Sequence, residues 1–357
     1  DHITGIIPHH IGHSLKTVTE VALGLIAVTI GGEFEVHKLK KMGSKIVIIT
    51  LAQLFLSFLL VSLFLFVFGF PLLFSVLLGA IASATAPAAT VAIVQSLRVR
   101  GKFVDYLYGV VALDDAGAVI LFGIVFAVAS SVFGGAGAAS HGALAIIGHA
   151  FLEIILSIVV GLIAGIILHI VVSRRKNSNE ILILTLGIIL LTTAISISLH
   201  LSSLLANMML GAILINLSRK NHRVFRIIQP LAPPIYALFF AIAGTELNIG
   251  IMGNITVLTF GIVYVLARMI GKYIGVYAGA FACKADKKIK KYLGICMFPQ
   301  AGVAIGLVLL IQNSPLAAGE FKGVVEQMVN IVLFSVLFNE LLGPPLSKYA
   351  IVKGVDI

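Results

Sequence analysis

The sequence predicts an all-α, polytopic membrane protein, and three observations carry that expectation. The 357 residues are 59% hydrophobic and 11% charged, where soluble domains run near 25% charged. Apolar stretches of about 20 residues, the length that spans a bilayer, recur from one end to the other. Lys and Arg crowd the loops on alternate sides, the pattern that sets the orientation of a chain threaded repeatedly through a membrane. No long polar stretch remains for a soluble domain. Cys283 and Cys296 form no disulfide framework, lack metal-site spacing and read as packing residues. A net charge of +10 would suit nucleic acid, but its confinement to short loops excludes that partner.

Taken in order, the expected spans are about 14–33, 44–68, 72–97, 103–133, 143–173, 180–199, 201–217, 230–247, 252–282, 290–313 and 323–349, eleven in all. The longer ones allow tilt without fixing it. Alternate loops carry Lys38, Lys40, Lys41 and Lys45; Arg98, Arg100 and Lys102; and Arg174, Arg175 and Lys176. The series continues with Arg219, Lys220, Arg223 and Arg226, then Lys284, Lys287, Lys288, Lys290 and Lys291, and ends at Lys348 and Lys353. The opposite face has Lys16 and Lys322. The basic face is therefore expected in the cytoplasm, with the N-terminus of this chain outside, the C-terminus inside, and the cell (inner) membrane as the location. No basic region precedes the first apolar stretch, so no cleavable signal peptide is read. The chain opens without Met on the loop-like Asp1-His-Ile-Thr-Gly-Ile-Ile-Pro8, and its native beginning is expected upstream.

Four features stand inside the spans. Asp114 and Asp115 lie near the middle of the apolar stretch from Phe103 to Phe133. Carboxylates at bilayer depth are costly and mark ion or proton pathways; a satisfied structural pair is the alternative. Arg268 and Lys272, spaced i, i+4 on one helix face, lie more than a turn or two from either end of their span, which fits snorkelling poorly. The third span is interrupted at Ala82-Ser-Ala-Thr-Ala-Pro-Ala-Ala-Thr-Val-Ala-Ile93, the tenth at Cys296-Met-Phe-Pro-Gln-Ala-Gly-Val-Ala-Ile305. Proline removes a backbone hydrogen bond and disfavours helix just before it. Aligned on Pro87 and Pro299, the two stretches agree at five of seven positions, and the loop charges run them in opposite directions. Interrupted helices at matching places in two oppositely oriented halves are the trace of an inverted-repeat transporter. Pro87, Asp115, Lys272 and Pro299 each lie about eight to twelve residues from the basic face, near the middle of a core roughly 30 Å thick.

Such a site suits a cation and a proton. Desolvation raises a midplane carboxylate's pKa and a neighbouring cation lowers it, so either a proton or a metal ion can occupy it. Freed carbonyls at a helix break supply oxygen ligands. Thr85 and Thr90 flank Pro87 and either add hydroxyl ligands or satisfy backbone around the break. Adjacent helix residues point about 100° apart. Asp114 and Asp115 thus need different partners, one facing the ion path and the other pairing with Lys272.

The Asp-Asp pair, the Ala-Thr-Ala-Pro-Ala-Ala-Thr break and the Arg-Met-Ile-Gly-Lys-Tyr-Ile-Gly segment resemble the monovalent cation/proton antiporters. The nearer branch holds the NapA-like sodium and Kef-like potassium exchangers. The resemblance runs along essentially the whole chain. It implies an NhaA-like inverted-repeat fold with two crossing discontinuous helices, elevator-like alternating access and a homodimer. It assigns the transporting core to about 72–173 and 252–349, and the dimerisation elements to about 14–68 and 180–247. By that resemblance Asp115 carries cation and proton, Asp114 partners Lys272, and Thr85, Thr90, Pro87 and Pro299 form the crossover. The transported species are Na⁺ or Li⁺, with K⁺ as the alternative, and H⁺, with no cofactor and no enzymatic activity. Family members commonly have thirteen helices, so two are expected before this chain begins. Gln300-Ala301-Gly302 replaces the Arg-Gly-Glu common after the second-break proline of Kef-like members, which weakens a potassium assignment.

The remaining polar residues carry less. His2, His9, His10 and His13 cluster before the first span, where a metal-binding or pH-sensing role competes with a mobile terminus. Asn207 and Glu246 could line the path. Glu20, Glu153 and Glu326 lie near helix ends, and Glu340 reads as a cap or ion-pair partner. An organic-anion/Na⁺ symporter could share inverted repeats, although paired aspartates would repel its substrate. An intramembrane aspartyl protease needs two carboxylates facing each other to share a proton, which adjacent helix residues cannot provide.

Overall fold

The structure, a computed structural model, describes residues 16–86, 90, 93–94, 96–133, 143–199, 201–231, 234, 255–300, 302–317 and 321–355. The regular elements among these residues are all helices, and no strand occurs among them. The helices are α1 (Lys16–Glu33), α2 (Val36–Val67), α3 (Leu72–Ala82), α4 (Lys102–Phe133), α5 (Ala143–Ser173), α6 (Ser178–Ser198) and α7 (Ser203–Leu217). They continue with α8 (His222–Ile228), α9 (Ile255–Ala282), α10 (Lys287–Tyr292), α11 (Gly302–Gln312) and α12 (Lys322–Val355). Each follows an apolar run expected above, apart from the short basic α8 and α10. The expected span 230–247, Glu246 included, lies almost wholly outside the described residues.

Among the described residues five helices are long and apolar enough to cross a membrane, or six if α10 with its 3₁₀ extension Leu293–Met297 and α11 count as one span bent by 47°. α2 is interrupted at Gly43, whose φ of +79° suits glycine. Gly69, at φ +95°, turns the chain out of α2, and Pro71, with φ −57°, stands at the N-cap of α3, where its missing N–H costs nothing.

The chain divides into two compact units: Asp1–Thr4, Lys41–Val125 and Gly244–Ile357 form one, Gly5–Lys40 and Phe126–Ala243 the other. This differs from the grouping expected from sequence. The long part of α2, expected among the dimerisation elements, packs in the first unit, and α5, expected in the core, packs in the second. Small residues explain both. Gly271, Gly275 and Gly279 of α9 face the backbone of Ser57, Gln53 and Ile49 of α2; a Cβ at Gly271 or Gly279 would lie 2.7 Å from the opposing Cα. In the second unit Gly161 and Gly165 of α5 face the backbone of α7 at Ala206 and Leu210. Such small-residue faces let membrane helices approach closely without a hydrophobic driving force.

Each unit has its own apolar core. Ile49, Leu107, Val110, Val276, Leu293 and Ile351 pack together in the first, and Leu25, Val28, Leu168, Ile189, Leu210 and Val224 in the second. Many large apolar side chains remain outward, among them Leu51 and Phe55 of α2, Ile163 and Ile170 of α5 and Leu266 of α9. That is the surface a bilayer covers.

Candidate ion site

The site begins where α3 stops. Its last carbonyls have no helical partner, and after Ser83 the chain runs through Ala84, Thr85 and Ala86 in non-helical form. The second interruption, Phe298-Pro299-Gln300 between Leu293–Met297 and α11, lies against the first: the Ala86 amide donates to the Pro299 carbonyl at 2.9 Å. Thr90, itself helical, donates its hydroxyl to the Cys296 carbonyl at 3.3 Å. Pro87 itself lies outside the described residues.

Arg268, wholly buried on α9, fills the space between the breaks. Its guanidinium donates to the carbonyls of Ala82 (3.0 Å), Ala84 (2.8 Å), Phe298 (2.6 Å) and Pro299 (3.3 Å). A planar fork of five donors suits this task as no lysine could. The carbonyls orphaned by two helix breaks carry the negative ends of peptide dipoles, and one buried cation offsets both. Sequence reasoning left Arg268 without a role, because the partners are backbone atoms that no side-chain motif reveals.

One turn further along α9, Lys272 is equally buried. Its ammonium lies 3.1 and 3.2 Å from the two carboxylate oxygens of Asp114 and also donates to the Ser83 carbonyl. The structure therefore brings together Asp114, Lys272 and the first break. Asp115 follows on α4, but its side chain is outside the described ones. Thr85 is buried, and its hydroxyl has no hydrogen-bond partner.

Gln300, singled out in the sequence, and Gln53, Tyr264, Ser335 and Asn339, which were not, complete the surroundings. Gln53 of α2 donates its amide N–H to Asp114. Gln300 donates to the Tyr264 hydroxyl (3.1 Å) and the Ile81 carbonyl (3.4 Å), while its oxygen accepts from Ser335 (2.8 Å) and Asn339 (3.4 Å) of α12. Asn339 also donates to Ser335 at 2.9 Å. The i, i+4 pair Ser335/Asn339 in an apolar helix was the available signal. α12 holds the second break from behind, since Gly343 stands where a Cβ would come within 2.9–3.0 Å of Pro299. Asn207 lies in the other unit, where its amide donates to Thr193 (2.8 Å) and the Ser203 carbonyl (2.9 Å).

Two apposed helix breaks bound by buried cations, with a carboxylate at the junction, define a membrane transporter built to handle charge. The chain belongs to the transmembrane sodium/hydrogen exchanger family, whose profile matches residues 2–348. It is similar to the ammonium/H⁺ antiporter subunit AmhT of Alkalihalophilus pseudofirmus, at 22% identity over 332 residues, 90% of this chain and 81% of that one. Its fold is similar to that of the sodium proton antiporter MjNhaP1 of Methanocaldococcus jannaschii at pH 8, with a TM-score of 0.74, 18% identity and coverage of 99% of this chain and 89% of the other. A second structure of MjNhaP1, an electron-microscopy map, matches with a TM-score of 0.66 at 19% identity over 94% of this chain and 83% of that one. The protein is thus a multi-pass membrane cation/proton antiporter, not an enzyme.

Proposed function

We propose that the protein exchanges Na⁺, with Li⁺ as a close competitor, for protons, and that cation and proton alternate on Asp115. The observation that carries this reading is the solvent-free ion pair of Lys272 with Asp114 at the first helix break. With Asp114 occupied by Lys272, its neighbour one step round the helix is left as the exchangeable carboxylate. Cation binding requires the ionised carboxylate and so displaces the proton. Arg268 keeps both breaks from collapsing while the site changes access.

The unit of Lys41–Val125 and Gly244–Ile357 would be the elevator-like transporting body, and the unit of Gly5–Lys40 and Phe126–Ala243 the scaffold and homodimer surface. The basic loops would face the cytoplasm in a cell membrane, with the C-terminus inside. The AmhT likeness favours one second reading, in which NH₄⁺, or K⁺ of similar size, takes the place of Na⁺.

The test is proton efflux from acid-loaded proteoliposomes on addition of Na⁺, Li⁺, K⁺, NH₄⁺ or choline, beside Asp115→Asn. Cation-selective efflux that disappears in the variant is the expected result and names the ion. Efflux that persists in Asp115→Asn would remove Asp115 from the role.

A further inference from the structure

Gln53 is a long polar side chain with no exposure, on a helix otherwise rich in Leu, Phe and Ile. Its backbone is held from behind: α9 opposes it with Gly275, flanked a turn away on each side by Gly271 and Gly279. From that fixed base the side chain reaches Asp114 and donates its amide N–H to the carboxylate. An ionised carboxylate only accepts, so the amide nitrogen must face Asp114 and the amide oxygen must face elsewhere. The two atoms of an amide are about 2.3 Å apart by standard bond lengths, which keeps that oxygen beside the same carboxylate. It is buried and has no hydrogen-bond partner.

An unpaired buried acceptor is costly, and a side chain needed only to position Asp114 could be a donor without a second polar atom. The Thr85 hydroxyl, two residues from the Ser83 carbonyl that binds Lys272, is likewise buried and unpaired. Amide, hydroxyl and carboxylate oxygens are hard ligands, the kind that suit alkali cations rather than transition metals.

We propose that the Gln53 carbonyl oxygen is a ligand of the transported monovalent cation and sets which cation the antiporter prefers. This rests on the antiport reading above. While its N–H holds Asp114 in place, its oxygen replaces one water of the entering ion's shell, and its distance from the break defines the size of ion accommodated. Ammonium, which would donate to the same oxygens, belongs to the same class of substrate.

The experiment compares apparent KM values for Na⁺, Li⁺, K⁺ and NH₄⁺ at one pH in proteoliposomes of the full chain, for wild type, Gln53→Leu and Gln53→Asn. Loss of a ligand to a charged group raises KM for the preferred ion about tenfold or more in Gln53→Leu and compresses the spread among ions. Gln53→Asn retracts the oxygen by one methylene and moves the preference toward the larger ions. The Asn variant keeps the amide and answers the question if the Leu variant does not fold. An equal change for all four ions, with their KM ratios intact, would mean that Gln53 positions Asp114 or holds a water and does not touch the ion, and would overturn the proposal. No cation-driven proton movement in wild type would instead remove the antiport reading itself.

Discussion

In the unit of Gly5–Lys40 and Phe126–Ala243, the buried polar side chains described are neutral: Ser157, Thr185, Thr192, Thr193, Ser196, Asn207 and Asn221. Most satisfy themselves along their own helix, with Thr185, Thr192, Thr193 and Ser157 donating to the carbonyl four residues back. In the unit of Lys41–Val125 and Gly244–Ile357, the buried set includes Asp114, Arg268 and Lys272. The difference follows the backbone. Continuous helices leave no orphaned carbonyls in their middle, whereas the interruptions after Ala82 and Met297 do. Arg268 and Lys272 bind those carbonyls, and Asp114 in turn balances Lys272. Charge is buried where helices are broken.

The largest effect should come from severing that coupling. Arg268→Ala removes the charged donor shared by the carbonyls of Ala82, Ala84, Phe298 and Pro299, and should cost at least about 3 kcal/mol, read as lost yield of monodisperse protein and a lower melting temperature in detergent. Arg268→Lys, with a point charge in place of a fork, should recover part of it. A melting curve matching wild type for Arg268→Ala would show that the breaks do not depend on this side chain. Lys272→Ala comes next at about 3 kcal/mol, because it leaves the Asp114 carboxylate buried without its cation. Adding Asp114→Asn should recover stability without recovering transport; if the two losses simply add, the pair is not coupled.

Asn207→Leu, in the scaffold unit, should lose about 1–2 kcal/mol of stability by stripping hydrogen bonds from Thr193 and the Ser203 carbonyl, with the cation KM unchanged. A shifted KM would give that unit a part in ion binding and blur the contrast. At the small end, Lys102 pairs with Asp286 at 2.9 Å on an exposed surface, and that bond and charge hold its pKa above the ordinary value of 10.5. A pKa raised on folding adds stability fully present below 10.5 and lost as pH climbs through the raised value. Stability should therefore be flat from neutral pH to pH 9, and Lys102→Gln should lower the melting temperature only slightly and by the same amount across that range. A pH-dependent difference between wild type and Lys102→Gln below pH 9 would contradict it.

Much of this was legible in the chain itself. Apolar length located the helices, because the bilayer imposes one span length on all of them. Pro87 and Pro299 marked the interruptions; the residues required one of the two aspartates to pair with Lys272, because a buried charge in lipid needs a partner, and the family resemblance pointed to Asp114. The grouping of helices was not legible from hydropathy, which is high for both α2 and α5; the Gly271-Gly275-Gly279 face carries that information. Gln53 was hidden for another reason. A single glutamine in an apolar run has no periodicity, and its partner Asp114 is 61 residues away. Arg268 stood out in the sequence, but its partners are backbone carbonyls in two distant stretches, which only the folded chain brings together.

In the proposed mechanism proton and cation take turns on one carboxylate beside the broken helices. The most direct measurement is the apparent KM for Na⁺ in wild-type proteoliposomes from pH 6 to 9. Competition predicts a KM that falls about tenfold per pH unit below the carrier's pKa, with the maximal rate little changed. A KM indifferent to pH, with only the maximal rate moving, would place proton and cation on separate groups and contradict it.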